Sequence, residues 1–197
     1  MKRLPSIVAL LFLTIVSLGV AWAKDKQAGN VITDCTTITQ PGSYVLGNNI
    51  SATSSSLNNS ICILIASDFV TLDLAGFTID GNGLSANGIA SDFFSNNRTG
   101  IEVRSGVVTN FGSDGIFLSG TGHRVEHIRA VNNHLHGILV GAQSWVVGNT
   151  ALNNGGIGIG VGCPSVVLEN MAAGNTVDIS ESTSGVCTSL ENSPPVP

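Results

Sequence analysis

The chain has 197 residues, with 8 Lys or Arg against 13 Asp or Glu, a formal net charge of −5 at pH 7. That balance argues against nucleic acid as a partner, because such binding rests on clustered Lys and Arg neutralising phosphates. Only 11% of residues are charged, against roughly 25% in ordinary globular domains, so Ser, Thr, Asn and Gly must cover the surface.

In chain order, Lys2 and Arg3 precede an apolar run from Ile7 to Val20 that ends in Ala21-Trp22-Ala23. This is the pattern of an export signal with an A-x-A cleavage site. It predicts a signal peptide over 1–23, a secreted or periplasmic product, and no stable membrane insertion after cleavage, since the run falls short of the roughly 20 apolar residues that span a bilayer. Residues 24–60, with Pro41-Gly42 and the Ser/Asn-rich "SATSSSLNNS", read as an N-terminal linker and capping coil.

Residues 61–180 carry a repeat. "VNNHLHGILV" (131–140) returns as "LNNGGIGIGV" (152–161). A shift of 21 aligns Val125, Val146 and Val167; Ala130, Ala151 and Ala172; and Asn133, Asn154 and Asn175. Upstream a shift of 22 pairs Gly115 with Gly137 and Ile116 with Ile138, with looser copies beginning at Ile63 and Ile89. Within each copy "GIFL", "GILV" and "GIGIGV" are short, apolar and bounded by Gly or Asn, as strands are. No helical period runs through the segment. The L-x-x-L-x-L framework of leucine-rich repeats is missing, and a sandwich would show alternating antiparallel hairpins.

Like residues recurring at one winding length predict an all-β fold, a single-stranded right-handed parallel β-helix of roughly five to six coils, each about 4.8 Å above the last. Asn149 then lies over Asn170, and Asn133 over Asn154 over Asn175, as side-chain ladders. The Asn-Asn-Gly phrase is a corner, for Asn tolerates left-handed backbone. His134 and His136 align with Gly155 and Ile157, so the copy dispenses with both imidazoles and the backbone is what repeats. Residues 181–197 form a C-terminal cap and tail, in which Pro194, Pro195 and Pro197 stop further pairing.

Four cysteines in an exported chain predict two disulfides. Of three possible pairings, Cys35 with Cys62 and Cys163 with Cys187 each span about one repeat and would be stacked by this fold. No C-x-x-C spacing occurs, and no metal site is expected.

The stretches "CILIASDFVTLDLAGFTIDGNG" (62–83), "GIEVRSGVVTNFGSDGIFLSG" (100–120) and "NNHLHGILV" (132–140) resemble secreted bacterial right-handed parallel β-helix repeat proteins of the pectin-lyase-like group. The resemblance covers about Val31 to Cys187. It implies the fold, while the group's activities range over pectate and pectin lyases, polygalacturonases, alginate epimerases and adhesins.

The densest polar segment is "HRVEHIRAVNNHLH" (123–136). A shift of 22 puts Glu102 beneath Arg124 and Arg104 beneath Glu126, flanking inward Val103 and Val125, with Asp73 extending the second column. This reads as a solvated charge ladder worth about 0.2–1 kcal/mol per pair. The alternative is a groove for an acidic polysaccharide in which Arg104, Arg124 and Glu126 act as a lyase or epimerase. The resemblance implies an Arg or Lys base and a calcium-binding carboxylate cluster for such enzymes, so calcium enters only under that alternative. An arginine base needs its pKa lowered, which paired arginines oppose. Asp114 under His136 is a further candidate pair, the carboxylate orienting an imidazole base. Trp145, one coil above Arg124, offers a ring for stacking on a sugar together with that arginine. The reading that results is a non-catalytic surface, envelope or carbohydrate-associated binding module. Its expected partner is a polysaccharide or envelope glycan, and it needs no cofactor.

Overall fold

A computed structural model describes residues 30–92 and 97–193. The signal segment over 1–23 and the prolines 194, 195 and 197 lie outside the described residues. Among those residues the chain is all β, without helix, and none is long and apolar enough to cross a membrane. Its strands form a 12-stranded sheet, a 7-stranded sheet and a 2-stranded one. Among the described residues the strand pairings are parallel throughout, and the one antiparallel contact is an isolated bridge between Asn58 and Ile61. Long parallel sheets built from successive segments of one chain are compatible with a parallel β-helix.

The sequence columns reappear as register. In the 7-stranded sheet Ile63 pairs with Ile89, Ile89 with Ile116, Ile116 with Ile138, Ile138 with Ile159 and Ile159 with Ile179. In the 12-stranded sheet Leu72, Val103, Val125, Val146 and Val167 form one column, and Ile50, Ile79, Val108, Ala130, Ala151 and Ala172 another. All three columns are buried and belong to one apolar cluster. Burial of each Ile or Val side chain stabilises the fold by about 1.5–3 kcal/mol before chain entropy is counted. The third column narrows from Ile to Ala along the chain, and the interior beside its narrow end is filled by asparagine.

Those asparagines sit at two corners built to one rule: a residue in the left-handed region is followed by an Asn whose side chain turns inward. At one corner the left-handed residues are Gly148, Glu169 and Glu191, and at the other Asn132, Asn153 and Gly174. The asparagines that follow are Asn149, Asn170 and Asn192, and Asn133, Asn154 and Asn175. Asn154 is typical. Its Oδ1 accepts from the backbone N–H and the Nδ2 of Asn133, both at 3.0 Å. Its Nδ2 donates to Asn175 Oδ1 at 2.9 Å and to the Ala130 carbonyl at 3.0 Å. Asn149, Asn170 and Asn192 repeat the pattern. Buried polar groups are tolerated only when satisfied, and these ladders meet the requirement rung by rung.

Disulfides join Cys35 to Cys62 and Cys163 to Cys187, leaving no free cysteine. They sit at opposite ends of the sheets. Thr188–Leu190, within the stretch expected as a cap, adds a further strand by pairing with Val166–Leu168.

Candidate functional site

The charged residues expected on one face do share it. Strand Glu102–Thr109 lies between Val70–Asp73 and Arg124–Val131, in a register that sets Arg104 beside Asp73 and Glu126, and Glu102 beside Arg124. Val103 and Val125 point inward with no exposure, so their neighbours face solvent. The ion pairs follow that register only in part. Arg104 reaches across to Asp73 at 3.0 Å and along its own strand to Glu102 at 2.9 Å. Arg124 pairs along its strand with Glu126 at 2.6 Å. Residues two apart on one strand share a face, and the long arginine stems close that span as readily as the step to the next strand.

Both guanidinium groups are thus engaged by carboxylates. Chiefly through its hydrogen bond to Asp73, Arg104 is held above the ordinary arginine value despite some opposing desolvation. A group meant to take a proton from a sugar needs the opposite shift.

Trp145 continues the column above Arg124, register partner to partner. The Arg124 guanidinium carbon lies 5.7 Å from the centre of the indole ring, within cation–π range. Trp145 remains 40% exposed. Beside the pair, Gln143, Val166, Val186 and Thr188 line a shallow groove of about 510 Å³. Aromatic surface, a guanidinium and neutral hydrogen-bonding groups therefore meet at one place.

Asp114 and His136 are adjacent, but not as a carboxylate–imidazole pair. Asp114 Oδ1 accepts the backbone N–H of His136 at 3.1 Å, while His136 Nδ1 accepts the backbone N–H of Ile157 at 2.8 Å. Below them Asn87 Oδ1 accepts the N–H of Asp114 at 3.0 Å. Asn, Asp and His thus form one column in which each side chain caps the N–H of the next segment. His136 takes the place of an amide oxygen, and the lone pair a general base would use is occupied.

His123, passed over in the sequence, is a buried counterpart at 1% exposure. Its Nδ1 accepts from the Ile101 N–H at 3.2 Å and its Nε2 lies 3.0 Å from the Ser119 carbonyl. Ser144 and Ser165 extend the column by hydroxyl acceptors. Burial holds the His123 imidazole below its ordinary value and the Asp114 carboxyl above its own. The two have opposite consequences. The folded chain resists protonating His123, so acid below its unfolded value of 6.5 destabilises the fold. Conversely, it holds the Asp114 proton more firmly than the unfolded chain does. That contribution is present below the unfolded value of 3.8 and is lost as pH rises through the higher folded value. Replacing Asp114 by Asn, which keeps the acceptor for His136, is expected to raise the melting temperature by a few degrees at pH 7. The gain should shrink as pH approaches 4, and thermal melts of both proteins across that range check it.

No family model, curated protein or solved structure matches the chain.

Proposed function

We propose that this chain is an exported right-handed parallel β-helix of five to six coils without catalytic machinery, which serves as a surface, envelope or carbohydrate-associated binding module. Its contact surface is the Trp145–Arg124 pair with the groove beside it. One observation carries the reading: the exposed indole is braced by Arg124, while the two candidate arginines, Arg104 and Arg124, are tied to Asp73, Glu102 and Glu126. A flat aromatic face with a charged edge suits stacking on a sugar ring and hydrogen bonding to its hydroxyls. Two disulfides fit an oxidising extracellular setting, in keeping with the export signal read over 1–23.

Screening the protein against a broad glycan array should give saturable binding, and Trp145→Ala should weaken it at least about tenfold with the melting temperature unchanged. Binding to no glycan would remove the carbohydrate part of the proposal. Ultraviolet absorbance from unsaturated uronates, produced on pectate or alginate with calcium and abolished by Arg124→Ala, would replace it with the lyase reading.

A further inference from the structure

A larger groove, about 720 Å³, lies elsewhere, along the corner marked by Asn110, Asn132 and Asn153. It falls in the roughly 300–1,000 Å³ range of ligand sites. We infer that this groove binds a neutral, linear polysaccharide laid along the stacking direction, with one amide addressing each successive sugar.

The three asparagines occupy one column, because the residues before them pair in register, Thr109 with Val131 and Val131 with Leu152. Each is in the left-handed region, at φ 57, 57 and 54. Backbone bonds from Asn132 to the Leu152 carbonyl and from Asn153 to the Ala173 carbonyl, both 3.0 Å, fix their heights. The corner itself requires only a residue that tolerates positive φ, and Gly174 meets that need in the next segment at φ 71. The amides at 132 and 153 are exposed, with no protein partner among the described residues, whereas Asn110 Nδ2 is steadied by Asp80 at 3.2 Å. What results is a rail of outward amides repeating at the strand spacing of about 4.8 Å.

An amide offers donors and an acceptor together, which is the complement of a sugar hydroxyl pair. Each sugar of an extended, equatorially linked glycan advances by nearly one strand spacing while turning about the chain axis, so each amide of the rail meets a hydroxyl-bearing edge of one sugar, a different edge from one sugar to the next. Gly112 and Gly155 beside the rail let neighbouring segments approach closely, since a Cβ at either would press on the backbone of Leu84 or His134. No Lys or Arg lines the groove and Asp80 stands at one end, so uronate chains have no counter-charge there. This inference shares with the preceding proposal the parallel stacking of segments and a glycan as ligand; the surface and the deciding residues differ.

The test is an amide NMR titration with cello- and xylo-oligosaccharides from disaccharide to hexasaccharide. Shifts should concentrate on 110–112, 132–134 and 153–155, and affinity should rise about tenfold from disaccharide to tetrasaccharide and then level off as the rail is filled. Asn132→Gly with Asn153→Gly preserves the left-handed corners, as Gly174 does, and should lower affinity at least tenfold, while Trp145→Ala leaves it unchanged. Equal binding by the glycine variant, shifts confined to the Trp145 groove, no length dependence, or no response to any oligosaccharide would each overturn the inference. Failure of Trp145→Ala to affect the array glycans bears on the other surface alone.

Discussion

Asn154→Ala is expected to destabilise the fold by about 3 kcal/mol, since each buried polar group stripped of its partner costs about 1–3 kcal/mol. The substitution leaves the Asn133 backbone N–H without an acceptor and takes one partner each from Asn133 Nδ2, Asn175 Oδ1 and the Ala130 carbonyl. Both Asn133 and Asn154 are all but inaccessible, at 1% and 2% exposure, so water cannot replace what is lost. For a domain of this size the loss corresponds to roughly 10 °C in melting temperature. The neighbouring Asn153→Gly should change stability by less than about 0.5 kcal/mol, because the side chain removed is exposed and the backbone conformation is one glycine adopts freely. Chemical denaturation of the two variants in parallel separates a ladder rung from a corner residue one position away.

That pair of neighbours also marks how far the sequence could be read. The column Asn133, Asn154, Asn175 was visible as a repeat of 21, because identical residues at one winding length can satisfy each other only by stacking. The third copy, Gly174-Asn175, separates the two positions of each doublet, since only the second recurs as Asn in all three copies; that this second Asn is buried while the first stays exposed was not visible. The structure supplies the rule of a left-handed residue followed by a buried Asn. It also shows why the second corner was harder to see: its left-handed positions include His127, Glu169 and Glu191, residues with no turn signature, held there by the stacked neighbours. Asn192 completes a ladder from inside a tail expected only to cap.

The charged face illustrates a different boundary. Register between Glu102 and Arg124 followed from the shift of 22. Of the ion pairs, Arg104 with Asp73 keeps to the expected column, whereas Arg104 with Glu102 and Arg124 with Glu126 do not, because flexible stems reach two residues along a strand as easily as one strand across, and exposed pairs differ by only tenths of a kcal/mol. For the same reason the groove at Asn110, Asn132 and Asn153 escaped notice: a concavity depends on how far successive corners project, which periodicity does not encode.

Replacing Cys35 and Cys62 together by Ala is expected to cost about 3–4 kcal/mol, from the chain-entropy relation for a closed loop of 27 residues. Cys163 with Cys187 closes a loop of 24, so loop length alone predicts nearly the same cost, yet the two losses should differ in kind. Cys62 has no exposure and lies in the core cluster beside Ile61 and Ile63. Its removal also leaves a cavity in the first buried layer and lowers the stability of the whole cooperative unit. Cys187 instead ties down Thr188–Leu190, an edge strand whose Leu190 is 62% exposed. With little apolar burial of its own, that strand should fray once the tether is cut, while the layers beneath keep their ladders. Hydrogen exchange distinguishes the cases. Cys163→Ala with Cys187→Ala should lose protection at residues 188–193 and little elsewhere, whereas Cys35→Ala with Cys62→Ala should raise exchange throughout the 7-stranded sheet. Uniform loss in both variants would mean that the sheets unfold as one body from either end, and that the last strand contributes to the core in spite of its exposure.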